Sequence, residues 1–112
     1  MRWIKREEIT SGDTYELAYA HTGSEQHWEG SSLYVPDEAD GIGELAPWLD
    51  EVFLGFAYYG LQRVTLPEWE RVKEAFLRSG EKNPSLSGFF AAVDEWLCSG
   101  NRGAGYFWIR GI

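Results

Sequence analysis

Residues 7–62, half of a 112-residue chain, contain no lysine and no arginine. The whole chain holds ten basic against eighteen acidic side chains, net −8. That balance argues against nucleic acid as a direct partner, because phosphate binding needs clustered cations that release counterions. Cysteine occurs once, at Cys98, which rules out an intramolecular disulfide and fits a reducing cytosol. Cys98 follows Leu97 on a predicted helix and reads as a small, buried or half-buried side chain. Neither His21 nor His27 is near it in sequence to act as a base. The opening Met1-Arg2-Trp3-Ile4-Lys5-Arg6-Glu7-Glu8 lacks the apolar core of a signal peptide. No apolar run reaches membrane-spanning length, so the expectation is a cytoplasmic protein without a membrane partner. Phosphate-loop and dinucleotide motifs are missing, and Gly41-Ile42-Gly43 and Gly103-Ala104-Gly105 read as turns. No nucleophile elbow occurs. Repeats, linkers and low-complexity tracts are absent too.

What the chain does have is acid and aromatics in the same half. Twelve carboxylates fall in residues 7–62, and with three cations ahead of them the first 62 residues carry net −9. Residues 63–112 carry seven basic and six acidic groups, net +1. Apolar residues make up 44% of the chain, enough for one hydrophobic core, and the length allows only one domain, residues 1–112.

Periodicity places the elements. Residues 2–9 read as a first strand, and Ser11-Gly12-Asp13 as a turn. Over 14–20, Tyr15, Leu17 and Tyr19 share one face while Glu16 points the other way, the pattern of a half-buried strand. A loop at 21–26 closes a hairpin onto a strand over 27–35, which Pro36 ends. An acidic loop over 37–43 leads to a helix starting near Pro47. Leu45, Leu49, Val52, Phe53 and Phe56 form its apolar stripe, Asp50 and Glu51 face outward with Pro47 and Leu54, and Gly55 or Gly60 stops it, while the apolar run over 53–59 fits either strand or helix. A short strand over 61–64 precedes a helix over 66–79. There Thr65-Leu66-Pro67-Glu68 is a capping box, Leu66, Trp69, Val72, Phe76 and Leu77 are the buried stripe, Glu74 and Arg78 pair, and Gly80 is the stop. Asn83-Pro84 opens a third helix whose apolar face is Phe89, Phe90, Val93, Trp96 and Leu97. Residues 105–112 form a closing strand, apolar on both faces and so interior. Together these predict an α+β fold, a mainly antiparallel sheet of four to five strands with two to three helices packed on one face.

Candidate chemistry is sparse. His21, Glu25 and His27 have an H-x3-E-x-H spacing, but they lie in a loop without the i, i+4 histidine pair of a helical zinc site. No metal or cofactor is expected. The adjacent pairs Asp37 and Glu38, Asp50 and Glu51, and Asp94 and Glu95 diverge in direction, whereas glycoside chemistry holds its carboxyls about 5 to 9.5 Å apart across a cleft. The expectation is a non-enzyme. Trp69, Phe76, Phe89, Phe90 and Trp96 fall on helix stripes, whereas Trp48, Tyr58 and Tyr59 sit beside the carboxylates as interface anchors do.

The run Gly55-Phe56-Ala57-Tyr58-Tyr59-Gly60, then Val64-Thr65-Leu66-Pro67-Glu68-Trp69 with Phe76, resembles small immunity proteins of bacterial polymorphic and contact-dependent growth inhibition systems. The closing Gly105-Tyr106-Phe107-Trp108-Ile109-Arg110-Gly111-Ile112 is similar to the last strand of such proteins. These stretches cover about a quarter of the chain. The resemblance implies a cytoplasmic protein that neutralises a cognate toxin, often a nuclease, by occluding its active site. The charge argument agrees, since a cleft that holds phosphates is basic and an acidic surface complements it. The expected contact set is Asp37, Glu38, Asp40, Glu44, Trp48, Asp50, Glu51, Tyr58 and Tyr59. Two alternatives stand beside it: a module stacking carbohydrate on exposed aromatics, and a small hydrolase using His21 or His27.

Overall fold

Four strands make one antiparallel sheet in the order β2-β1-β4-β3 in the computed structural model, which describes residues 1–9, 13–22 and 30–111. β1 is Thr14–Tyr19, β2 Leu33–Pro36, β3 Leu61–Thr65 and β4 Tyr106–Arg110. Three helices, α1 (Ile42–Val52), α2 (Leu66–Ser79) and α3 (Pro84–Gly100), complete an α+β domain. The closing strand is interior as its composition predicted, with Leu17 opposite Ile109 on one side and Val64 opposite Phe107 on the other. Tyr15, Leu17, Tyr19, Val35, Val64, Phe107 and Ile109 of the sheet form one buried cluster with Leu45, Leu49, Trp69, Phe76, Phe89, Val93 and Trp96 of the helices.

α2 obeys its local signals. The Thr65 hydroxyl accepts from Glu68 N at 3.3 Å, the Glu68 carboxylate accepts from Thr65 N at 2.9 Å, and Gly80 closes the helix at φ 72°. Asn83 caps α3 by accepting from Leu86 N at 3.1 Å.

Other expectations fail for tertiary reasons. Residues 2–9 are not a strand: Ile4 makes one isolated bridge to Tyr34, and Arg6–Glu8 is a 3-10 turn in which Glu8 accepts from Lys5 N. The strand expected over 27–35 is seen only as Leu33–Pro36. Ser11 and Gly12 of the turn, most of the hairpin loop, residues 27–29 and Ile112 lie outside the described residues. α1 starts at Ile42 and holds Pro47 inside it, so the proline removes a bond to the Gly43 carbonyl near the helix start rather than opening the helix. It also ends early, with Phe53 in extended geometry and Gly55 at φ 83°. Phe53 and Phe56 therefore reach the core from a loop. Leu77 is 71% exposed, because Ala75 and Phe76 take the inward positions of that turn. Cys98 is exposed, on the side of α3 away from Phe89, Val93 and Trp96. Among the described residues Glu74 and Arg78 make no ion pair.

Glu16 is the larger surprise. It is 4% exposed on the sheet face opposite the helices, where its Oε1 meets Arg110 Nη1 at 3.2 Å. Its Oε2 accepts from the Ser32 hydroxyl at 2.7 Å and the Tyr34 hydroxyl at 3.2 Å. β1 is thus buried on both faces.

The free edge of β3 is partly closed by its own side chains. Bonds from Gly111 N to Gly60 O and from Leu66 N to Gly105 O turn the even positions toward β4, which leaves Leu61, Arg63 and Thr65 facing outward. Arg63 O accepts from Gln62 Nε2 at 3.0 Å, and Thr65 N is held by Glu68, so side chains block the half of the edge nearer α2.

Candidate docking surface

The six carboxylates of the expected contact set separate into two groups. Glu38, Asp40 and Glu44 turn toward the start of the chain. Arg2 bonds the Glu38 carboxylate and lies 3.4 Å from Asp40 Oδ2. Glu44 takes the Met1 amino group and the Asn83 amide, each at 2.6 Å. Those two donors, the amino group foremost, hold its carboxyl below the usual range. Each of the three thus has an internal partner, Glu38 and Asp40 at exposed positions. Trp48 is half-buried and packs edge-on to Phe76 at 5.5 Å in the seam between α1 and α2.

Asp37, Asp50, Glu51, Tyr58 and Tyr59 gather elsewhere. Antiparallel pairing brings Thr14, Pro36, Leu61 and Arg110 to one end of the sheet, and the loop over 53–60 closes that end. Tyr58 donates to Asp50 Oδ1 at 2.7 Å, and its ring packs on Phe56 at 4.7 Å and edge-on to Tyr15 at 6.2 Å. Burial first, then the Asp50 carboxylate, pushes the Tyr58 hydroxyl well above the ordinary phenol range. Tyr15 is pushed up to about 12 by burial first, then by Asp37, Tyr59 and Asp13. Asp37 N donates to Asp13 O at 3.0 Å, joining the backbone at these two acidic positions.

Two large apolar side chains stand out of this end. Leu54 is fully exposed and Tyr59 is 84% exposed. Their loop is nonetheless pinned along its length. Phe53 N donates to Leu49 O, Ala57 N to Gln62 Oε1, Gly60 N to Ala57 O, and Gly111 N to Gly60 O. Gly111 has no room for a side chain, since a β-carbon there would lie 2.2 Å from Tyr58 O. Leu54 and Tyr59 are therefore presented by a hydrogen-bonded loop, with exposed Asp50 and Glu51 on the helix before it and exposed Asp37 at the same end of the sheet, an arrangement that resembles apolar anchors with a polar rim. Sequence reasoning placed Leu54 on the outward side without counting it as a contact, and it passed over Asp13. An apolar residue displaced from its helix stripe was the available signal.

Catalytic arrangements gain little support. Asp94 is tied to Trp69 Nε1 at 3.1 Å and Lys73 Nζ at 2.7 Å, and Glu38 to Arg2. His21 is exposed and stacks on Tyr19 at 5.5 Å, while Glu25 and His27 lie outside the described residues. Among the described residues no three His, Cys, Asp or Glu side chains form a metal-binding group, and no helix is long and apolar enough to cross a membrane. Compared with family models, with curated proteins and with solved structures, the chain matches none.

Proposed function

We propose that the chain is an immunity-type inhibitor that docks a cationic toxin domain through the 53–60 end of its sheet. One observation carries the reading: Leu54 and Tyr59 project from a hydrogen-bonded loop into solvent with Asp37, Asp50 and Glu51 exposed beside them. A preorganised anchor loses little conformational freedom on binding, and the surrounding anions steer a basic partner toward it. The contact set is Asp13, Asp37, Asp50, Glu51, Leu54, Tyr58 and Tyr59. Glu38, Asp40, Glu44 and Trp48 serve the fold instead.

The test uses the C-terminal domain of a secreted protein encoded beside this chain, expressed with and without it. The chain is expected to restore growth and to bind that domain at a rate that falls as salt rises. Replacing Asp50 and Glu51 by Lys should slow association, while Tyr59→Ala should speed dissociation. Unchanged protection and kinetics in both variants would remove this end of the molecule from the interface.

A further inference from the structure

A cavity of about 390 Å³ lies at the opposite end of the sheet from the docking loop, between the first turns of α2, the last turns of α3 and the turn over 101–105. We propose that it binds a small organic cation, a primary amine carrying an aromatic or branched apolar group. The proposal does not depend on the toxin reading, because Leu66 and Ala104 flank the Thr65 and Tyr106 pair while the docking loop flanks the Leu61 and Arg110 pair.

Size and lining set the ligand class. Small-molecule sites commonly enclose about 300 to 1,000 Å³, and this cavity falls within that range. Trp69, Leu66, Leu97 and Ala104 supply apolar wall, and among the described residues the charged lining residues are Glu70 and Asp94. Lys73 bridges these two carboxylates, 2.7 Å from Glu70 Oε1 and 2.7 Å from Asp94 Oδ2. Its charge is thus spent within the group, leaving Glu70, Lys73 and Asp94 together one unit negative. Asp94 Oδ1 is taken by the Trp69 indole N–H at 3.1 Å, so the Glu70 oxygen not held by Lys73 is the acceptor left for an incoming ammonium group. An anionic ligand finds no uncommitted cation in the lining. Asn101 offers nothing either, since Oδ1 accepts from Ala20 N and Nδ2 donates to the Ala104 and Tyr106 carbonyls.

The turn that carries the lining residues Gly103 and Ala104 is also held in shape. Arg102 and Gly103 are consecutive left-handed residues, at φ 55° and 72°, a conformation costly for arginine that the Asn101 bonds maintain.

Cys98, the single cysteine, lies in the lining and is exposed, so its alkylation reports occupancy directly. The experiment measures the rate of Cys98 modification by iodoacetamide, read by intact mass, in the presence of phenethylamine, phenethyl alcohol or phenylacetate. Phenethylamine is expected to slow modification at about tenfold lower concentration than the alcohol, the factor of a charge-assisted hydrogen bond, and phenylacetate to give no protection. Glu70→Gln, at an exposed position, should bring the amine to the level of the alcohol while the alcohol is unaffected. Equal protection by amine and alcohol in the unaltered chain would overturn the proposal. So would an amine that leaves both the Cys98 rate and the Trp69 indole N–H resonance unmoved, or a Glu70→Gln variant that keeps the full preference for the amine.

Discussion

Gly100 sits against the ring of Tyr19 so closely that a β-carbon at position 100 would lie 2.3 Å from Tyr19 Cζ. The ring cannot retreat, since it stacks on Trp96 at 4.2 Å and its hydroxyl donates to Trp96 O at 2.8 Å. Helix propensity alone favours alanine over glycine by up to about 1 kcal/mol, but forcing a methyl into a packed site costs about 1 to 3 kcal/mol. Gly100→Ala is therefore expected to destabilise. Urea unfolding of the two proteins decides the sign, and a gain in stability would show that the contact relaxes freely.

The Thr65 cap gives a second, local test. Its hydroxyl serves Glu68 N and its own N–H is held by the Glu68 carboxylate, at the point where β3 turns directly into α2. Thr65→Ala is expected to lower stability by about 1 kcal/mol and Thr65→Ser by much less. Equal denaturation midpoints for all three proteins would mean that the cap contributes nothing.

These two sites also mark what the sequence discloses and what it does not. The cap, the Gly80 stop and the Trp69, Val72 and Phe76 stripe of α2 are signals contained within one segment, so the element was legible to the residue. α1 was not, because its start is set by a close turn of backbone that no capping residue announces: Gly41 packs so closely on Pro36 that a β-carbon would lie 2.3 Å from its carbonyl oxygen, and Gly41 N and Gly43 N both donate to Glu38 O. Pro47 imitated a first-turn residue, and Phe53 and Phe56 continued the helical spacing although the chain had already left the helix. The expected contact set divides in the same way. Asp50, Glu51, Tyr58 and Tyr59 lie at one end of the molecule because α1 and the loop that follows it hold residues close in sequence. Nothing near Glu38, Asp40 or Glu44 in sequence announces Arg2, Met1 or Asn83. Glu16 read as outward for the same reason, its cationic partner Arg110 being at the other end of the chain.

Glu16 and Arg110 support a third prediction. They are 4% and 3% exposed, and the Glu16 carboxylate meets the guanidinium and both the Ser32 and Tyr34 hydroxyls. Glu16→Gln keeps the shape but takes the anion away from a buried cation, which costs about 3 to 5 kcal/mol. Replacing both residues by Met removes the two charges together and is expected to cost far less than the single change. Glu16→Met, Arg110→Met and the double variant close a thermodynamic cycle that gives the coupling. Additive losses would show that the two charges do not stabilise each other.

The aromatic interior predicts how the fold fails in base. Burial is the first cause raising Tyr15, Tyr19, Tyr34 and Tyr58, with Tyr15 pushed up to about 12; Asp37, Glu16 and Asp50 add to Tyr15, Tyr34 and Tyr58 respectively. In the unfolded chain each phenol ionises near pH 10. A folded pKa above the unfolded one means that ionisation favours the unfolded state. The contribution is complete below about pH 10 and is lost as the pH rises through the folded values, by about 1.4 kcal/mol per unit for each tyrosine. The denaturant midpoint is therefore expected to be flat up to about pH 10 and to fall steeply above it. Phenolate absorbance from these four residues should emerge together with loss of tertiary circular dichroism. Asp50→Ala should soften the alkaline loss only in part, since burial outweighs the carboxylate at Tyr58. Full, reversible ionisation of all the tyrosines near pH 10 with the fold intact would mean that the rings are open to water.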